Sequence, residues 1–174
     1  MLIVMAGLPG SGKSRIAAEI SAALDGIVLD KDRLRAALFP PEAIEYSTSQ
    51  DDFCMQLIYQ TAAYLLENDP QRTVIIDGRP FAHAYQVDDL AAFFRTRGIP
   101  YRLIECVCSD EIARQRLEQD AAQSAHRAAN RDYRLYLELK RRWAPIPPPK
   151  LVLDTGRPLQ ECLARCLAFL RSGD

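Results

Sequence analysis

The chain has 174 residues, 48 % hydrophobic and 26 % charged, which suits one soluble domain with a real core. Its 22 lysines and arginines face 23 acidic residues, for a net charge of −1 and a pI near 6.1. No global basic field exists to hold a polynucleotide, although a local basic groove stays open. No apolar run reaches the ~18 residues of a membrane span, and the opening MLIVMAG lacks a charged leader, so a cytosolic location is expected.

The first predicted strand, Leu2–Ala6, is a continuous apolar run that leads into Gly7-Leu8-Pro9-Gly10-Ser11-Gly12-Lys13-Ser14. This is the pattern G-x-x-x-x-G-K-[ST], and each fixed position has a mechanical reason. Gly7 lets the chain turn off the strand, while Gly10 and Gly12 can adopt angles that aim backbone N–H groups at phosphate oxygens. Lys13 reaches β- and γ-phosphates, Ser14 offers its hydroxyl to Mg2+, and the helix starting at Lys13 adds its positive end. That helix is amphipathic through Ile16, Ala17, Ile20, Ala23 and Leu24. A nucleoside triphosphate, read as ATP with magnesium, is the expected ligand of Gly7 through Ser14.

A second strand over residues 26–29 ends at Asp30-Lys31-Asp32-Arg33-Leu34-Arg35. Ligands of open α/β sheets sit outside the carboxyl ends of strands. Asp32 or Asp30 there can take a proton from an acceptor hydroxyl; the competing role is the N-cap of a helix over residues 33–38. Arg35 and, further on, Arg79 can hold an acceptor or a phosphate. The next helix is predicted to begin near Asp52, after a loop over residues 40–50. A third strand, residues 73–77, ends on Asp77, the position of a magnesium-side carboxylate. The acceptor pocket is expected between residues 32–39, the 40–50 loop and the stretch after Asp77, with Phe39, Tyr46 and Phe81 among its aromatic candidates.

A helix near Val87 and a strand over Tyr101–Val107 follow. From Asp110 to Arg142 the chain is helical, charged and basic-rich (Arg114, Arg116, Arg127, Arg131, Arg134, Lys140, Arg141, Arg142), with a small, polar middle at residues 121–130. This reads as a lid over the triphosphate. Pro145-Ile146-Pro147-Pro148-Pro149 ends that helix, and a last strand (150–153) and a helix from Pro158 close the chain. Strands alternating with helices imply an α/β fold with a parallel sheet. The whole chain, residues 1–174, is expected to be one domain with its lid at about 110–142. The five cysteines (Cys54, Cys106, Cys108, Cys162, Cys166) lack the tight spacing of zinc sites and read as reduced packing residues. His83 and His126 have no paired acid or cysteine and read as surface or packing residues.

GLPGSGKS, LDKDRLRAALF, VIIDGRPF, the basic helical segment and a final VLDT together resemble the small bacterial P-loop kinases. These are the group related to the kinase domain of polynucleotide kinase, with zeta toxins and chloramphenicol phosphotransferase as more distant relatives. The likeness spans essentially the whole chain, and the D-x-x-R element Asp32–Arg35 points to this branch. It implies a P-loop NTPase fold: a five-stranded parallel sheet between helices, with a helical lid. It further implies Asp32 as general base, Arg35 on the acceptor, Asp77 near the metal, and adenine contacts around Asp154-Thr155-Gly156-Arg157. Arginines are commonly spaced along the lid in this group. Arg116 matches the first, the position four residues on is Asp120, and Arg127 or Arg131 can substitute.

The expected activity is therefore phosphoryl transfer from ATP to a hydroxyl of a small molecule, with Lys13, Asp32, Arg35, Arg116 and Arg131 as its catalytic set. Two other readings stay open. One is an ATP-binding or ATP-hydrolysing regulatory module without transfer, favoured by Asp120. The other is a nucleic-acid 5′-hydroxyl kinase, disfavoured by the acidic pI.

Overall fold

A computed structural model of the chain describes residues 1–122 and 132–172. Five strands form one parallel sheet: β1 (Leu2–Ala6), β2 (Ile27–Asp30), β3 (Val74–Asp77), β4 (Tyr101–Val107) and β5 (Leu151–Asp154), in the order β2-β3-β1-β4-β5. Helices α1 (Lys13–Leu24), α2 (Lys31–Leu38), α3 (Thr48–Asn68), α4 (Ala84–Arg95), α5 (Asp110–Ala122), α6 (Tyr133–Arg141) and α7 (Leu159–Arg171) cover it.

The apolar strand runs are explained by burial on both faces. Side chains alternate across a strand, so Leu2, Val4 and Ala6 enter one core with Val74, Ile76 and Leu103, against Met55, Ile58 and Tyr59 of α3 and Leu90 and Phe94 of α4. Ile3 and Met5 enter the other with Ile75, Ile104 and Leu153, against Ile16 and Ile20 of α1 and Cys162, Cys166 and Leu170 of α7. All five cysteines are free, and Cys54, Cys106, Cys162 and Cys166 are buried. Burial pushes the Cys106 thiol up to about 12 and that of Cys166 to about 11, so both remain protonated packing residues.

Several boundaries differ from expectation, each for a local reason. Helix α3 starts at Thr48, four residues before Asp52, because Ser47 caps it by accepting from the Gln50 amide at 3.2 Å. Helix α4 starts at Ala84, ahead of Val87, with His83 as its cap and the Gln86 side chain reaching back to the His83 amide. The expected continuous lid helix is instead described as two, α5 and α6, with Asp132 capping the second through the Leu135 amide at 2.8 Å. Asp110 joins them, accepting from Tyr136 Oη at 2.6 Å and Lys140 Nζ at 2.7 Å. His126, Arg127 and Arg131 lie outside the described residues. Among the described residues no helix is long and apolar enough to cross a membrane.

Candidate active site

The strand order places β1 centrally, so its carboxyl end opens between β3 and β4, where an open α/β sheet receives its ligand. Gly7, Gly10 and Gly12 take φ values of 132°, 75° and 81°, which only glycine adopts without strain. A side chain on Gly7 would also stand 2.2 Å from the Cys106 carbonyl oxygen. Gly12 is the N-cap of α1, and the helix begins at Lys13, as the phosphate-loop pattern demands. Lys13 is 4 % exposed and donates to the Gly7 and Leu8 carbonyls at 2.7 and 3.0 Å. The loop is thus held in a cradle by its own lysine.

Two cavities meet at Lys13 and Ser14, which line both. One, of about 500 Å³, continues past Gly10, Gly12, Arg15 and Ile16 to Arg116, Asp120, Thr155, Arg157, Leu159 and Cys162. Arg116 donates to the Gly10 carbonyl (3.3 Å), Thr155 Oγ1 (3.0 Å) and the Thr155 carbonyl (2.7 Å), while Thr155 Oγ1 donates to the Ser11 carbonyl at 2.8 Å. These bonds hold the Gly10 and Ser11 carbonyls from outside the loop, while the Gly7 and Ser11 amides donate to the Pro80 and Leu8 carbonyls at 3.0 and 3.1 Å. Thr155 was named in sequence only as part of the adenine stretch, and nothing in the loop pattern marks it as a strut. Arg157 lines the same cavity from its exposed rim, paired with Glu161 at 2.8 Å and Asp154 at 3.8 Å.

The second cavity, of about 240 Å³, lies on the other side of Lys13 and Ser14. Asp32, Arg35, Tyr46, Arg79 and His83 line it, with Leu135, Glu138 and Leu139 of α6 and its C-cap Arg142 also in the wall. Asp30, not Asp32, caps α2, accepting from the Arg33 amide at 2.7 Å. The Asp30 carboxyl is pushed above its ordinary value, first by burial and also by the nearby Asp77 and Asp32. Asp32 is therefore released from capping and turned into the cavity, where Arg35 donates to its Oδ1 at 2.7 Å and Lys31 lies 3.6 Å away.

Arg35 bridges Asp32 to Asp51, and Lys31 donates to Asp51 at 2.7 Å. Asp51 was missed in sequence because it fell between the loop over residues 40–50 and the helix expected near Asp52; the Ser47 cap puts it in the first turn of α3. Arg79 pairs with Asp52, whose carboxylate also takes the Tyr85 hydroxyl at 3.2 Å. His83, read as a surface or packing residue, lines the cavity at the start of α4. Of the three aromatic candidates only Tyr46 does so, with the Arg35 guanidinium 5.2 Å from its ring centroid. Phe81 is fully buried in the core, and Phe39 packs edge-on against Phe53 instead.

Asp77 ends β3, is 1 % exposed, and has an Oδ1 with no hydrogen-bond partner among the described residues. A desolvated carboxylate oxygen with open lone pairs suits a hard cation, and Ser14 stands exposed at the junction of the two cavities. No group of three or more His, Cys, Asp or Glu able to hold a metal occurs among the described residues. Ser14 lines both cavities and Asp77 lines neither; a hydroxyl and a carboxylate are nonetheless the hard oxygen donors that Mg2+ takes beside waters and phosphates.

A family model described as AAA domain matches residues 2–140. Among solved structures, the chain is similar to the APS kinase CysC of Mycobacterium tuberculosis in complex with AMPPNP and APS. The TM-score is 0.74 at 20 % identity, over 98 % of this chain and 97 % of that one. It is also similar to a gluconokinase from Sinorhizobium meliloti 1021 (TM-score 0.68, 18 % identity, 97 % and 90 % covered). A third similar structure is Kti12 of Chaetomium thermophilum with ADP-AlF3 (0.66, 16 %, 99 % and 100 %). At these identities the likeness is one of fold, and the fold is that of the P-loop NTPases. No curated protein matches the sequence.

Proposed function

The chain belongs to the AAA domain family, and from that premise we propose that it is an ATP-dependent kinase acting on a hydroxyl of a small molecule. The observation that supports this best is the meeting of two cavities at Lys13 and Ser14. A hydrolase needs one site for nucleotide and room for water. A second cavity with a carboxylate in its wall, opening on the same lysine, is what an acceptor requires.

In this reading ATP lies along the larger cavity. The loop from Gly7 and Leu8 through Pro9, Gly10, Ser11 and Gly12 cradles its phosphates, Lys13 pairs with the β- and γ-oxygens, and Arg157 borders the adenine. Ser14 and Asp77 are the ligands for Mg2+, which supplies charge neutralisation on the phosphates when bound. The acceptor fills the smaller cavity. Asp32 takes the proton of its hydroxyl, the oxygen forms a bond to the γ-phosphorus, and the bond from phosphorus to the bridging β,γ-oxygen breaks to release ADP. Arg35 holds Asp32 in place and borders the acceptor. Catalysis is mainly positioning and electrostatics.

Arg116 and Arg131 remain the lid arginines of this account; Arg116 stands beside the loop through its bond to Gly10. Residues 1–174 act as one domain, with 110–142 as the lid. The finer kinship, with the polynucleotide kinase and zeta toxin group, rests on Asp32–Arg35. A cavity of about 240 Å³ supports a small acceptor over a nucleic-acid end. The likeness in fold to a gluconokinase and to an APS kinase supports that choice.

The test is a comparison of wild type with Asp32→Asn and Lys13→Ala, using γ-labelled ATP and a panel of hydroxylated metabolites. Asp32→Asn should lower transfer by ~10²-fold or more while nucleotide affinity stays within a few-fold. Lys13→Ala should abolish turnover. Undiminished transfer in Asp32→Asn would remove Asp32 as the base.

A further inference from the structure

Three cations are buried together on the acceptor side. Lys31, Arg35 and Arg79 are 5 %, 2 % and 3 % exposed, and all three line the smaller cavity. Burial is the main influence on the Lys31 ammonium, and both guanidinium groups lie close enough to add to it. Clustering like charges out of water is costly unless anions offset them.

The carboxylates of the fold offset them only in part. Asp32, Asp51 and Asp52 each accept from this group. Even so, the Nε–H of Arg35 is buried with no partner among the described residues, while the Arg79 guanidinium has the buried Tyr59 hydroxyl beside it. Among the described residues of the cavity wall, Lys13, Lys31, Arg35, Arg79 and Arg142 outnumber Asp32, Asp51 and Glu138 by five to three, with Asp52 pairing Arg79 from outside the wall. A purely structural role for these cations, tying α2 to α3, accounts for the pairs to Asp51. It does not account for a cavity at the same place, or for Arg142 reaching its rim from α6. A neutral polyol would be met by amides and hydroxyls, and among the described residues the wall offers Gln86, Thr48, Ser14, Tyr46 and His83 as uncharged polar side chains.

The rest of the lining sets the size and the body of the ligand. Pro80, Ala82, Leu135 and Leu139 offer apolar surface for a carbon skeleton. At about 240 Å³ the cavity is smaller than the ~300–1,000 Å³ that holds drug-sized ligands, so it suits a metabolite of a few carbons.

Resting on the phosphotransferase reading above, we propose that the acceptor is a small hydroxylated anion, a polyol bearing a carboxylate or phosphate. Arg79 and Lys31 bind its negative group while its hydroxyl lies at Asp32. Arg35, held between Asp32 and Asp51, is a positioning residue; Lys31 and Arg79 each have a carboxylate partner on α3, Asp51 and Asp52, and still line the cavity.

The experiment uses the full chain saturated with magnesium and AMPPNP, so that the phosphate loop is filled and cannot itself take the anion. Binding of gluconate and of glycerol 3-phosphate is measured by calorimetry against their neutral counterparts, sorbitol and glycerol. At least one anion should bind tenfold or more tightly than its neutral counterpart, and which one distinguishes carboxylate from phosphate. Arg79→Gln and Lys31→Met should each remove that preference while AMPPNP affinity stays within twofold. Arg142 is exposed, so Arg142→Gln tests the same point without touching the core, with a loss of threefold or more in anion affinity. Equal binding of anion and neutral counterpart, no binding of either, or a preference that survives Arg79→Gln and Arg142→Gln would overturn the proposal. Transfer of γ-label to the same probes is followed separately. Anion binding without any transfer would count against the kinase reading alone, leaving the anion site standing.

Discussion

Thr155 illustrates what a pattern of residues cannot announce. It lies at the end of β5, far in sequence from the glycine loop, and yet its hydroxyl donates to Ser11 and accepts from Arg116. The expected outcome of Thr155→Val is a chain that folds but holds nucleotide about fivefold or more weakly, roughly the worth of one such bond. Calorimetry with AMPPNP checks this; unchanged affinity would mean the loop keeps its shape without the strut. Lys31 gives a second prediction at this scale. Burial lowers its ammonium to about 8 from an ordinary 10.5, with Asp32 favouring the charge and Arg35 and Arg79 opposing it. Around it stand Asp32 and Arg35 from α2, Asp51 from α3 and Arg79 beyond β3. Because the folded value is the lower one, the unfolded chain binds more protons between these limits, so this group adds stability as pH rises through that window. In the folded chain the cavity loses this positive charge around pH 8. The KM for an anionic acceptor should therefore rise above pH 8, and Lys31→Met should flatten that limb of the profile. A limb that persists in Lys31→Met would assign it to another group.

At the scale of elements, the acceptor side depends on how α2 leaves β2 beside the end of β3. Asp30 pairs in register with Asp77, and Gly78, at φ 95°, packs so closely that a side chain would lie 2.8 Å from the Lys31 amide nitrogen. Gly78→Ala should therefore cost ~1–3 kcal/mol of stability in denaturant unfolding and displace Asp32 and Arg79 together. A variant as stable and as active as wild type would show that this junction is looser than its geometry implies. The sequence made the strands legible because apolar runs buried on both faces have few other interpretations. The junctions were less legible. Asp30 and Asp32 both suit a helix cap, and only the backbone geometry decides between them. Ser47 could not be recognised as a cap while residues 40–50 read as loop, and Asp51 was lost between that loop and the helix expected near Asp52.

For the molecule as a whole, the phosphate loop and sheet class were readable because G-x-x-x-x-G-K-[ST] between a strand and a helix has a single mechanical meaning. The two-cavity arrangement was not. It arises where α5 carries Arg116 to the loop and α6 carries Arg142 to the acceptor side, contacts made across more than a hundred residues in the first case. Local periodicity holds no trace of such pairings. The central claim is that phosphate crosses from one cavity to the other. The most direct measurement supplies γ-labelled ATP with magnesium and a hydroxylated anion such as gluconate or glycerol 3-phosphate, and follows where the label goes. Label in the organic phosphate ester, lost in Asp32→Asn, is the predicted result. Label found solely in inorganic phosphate, whichever acceptor is offered, would contradict it.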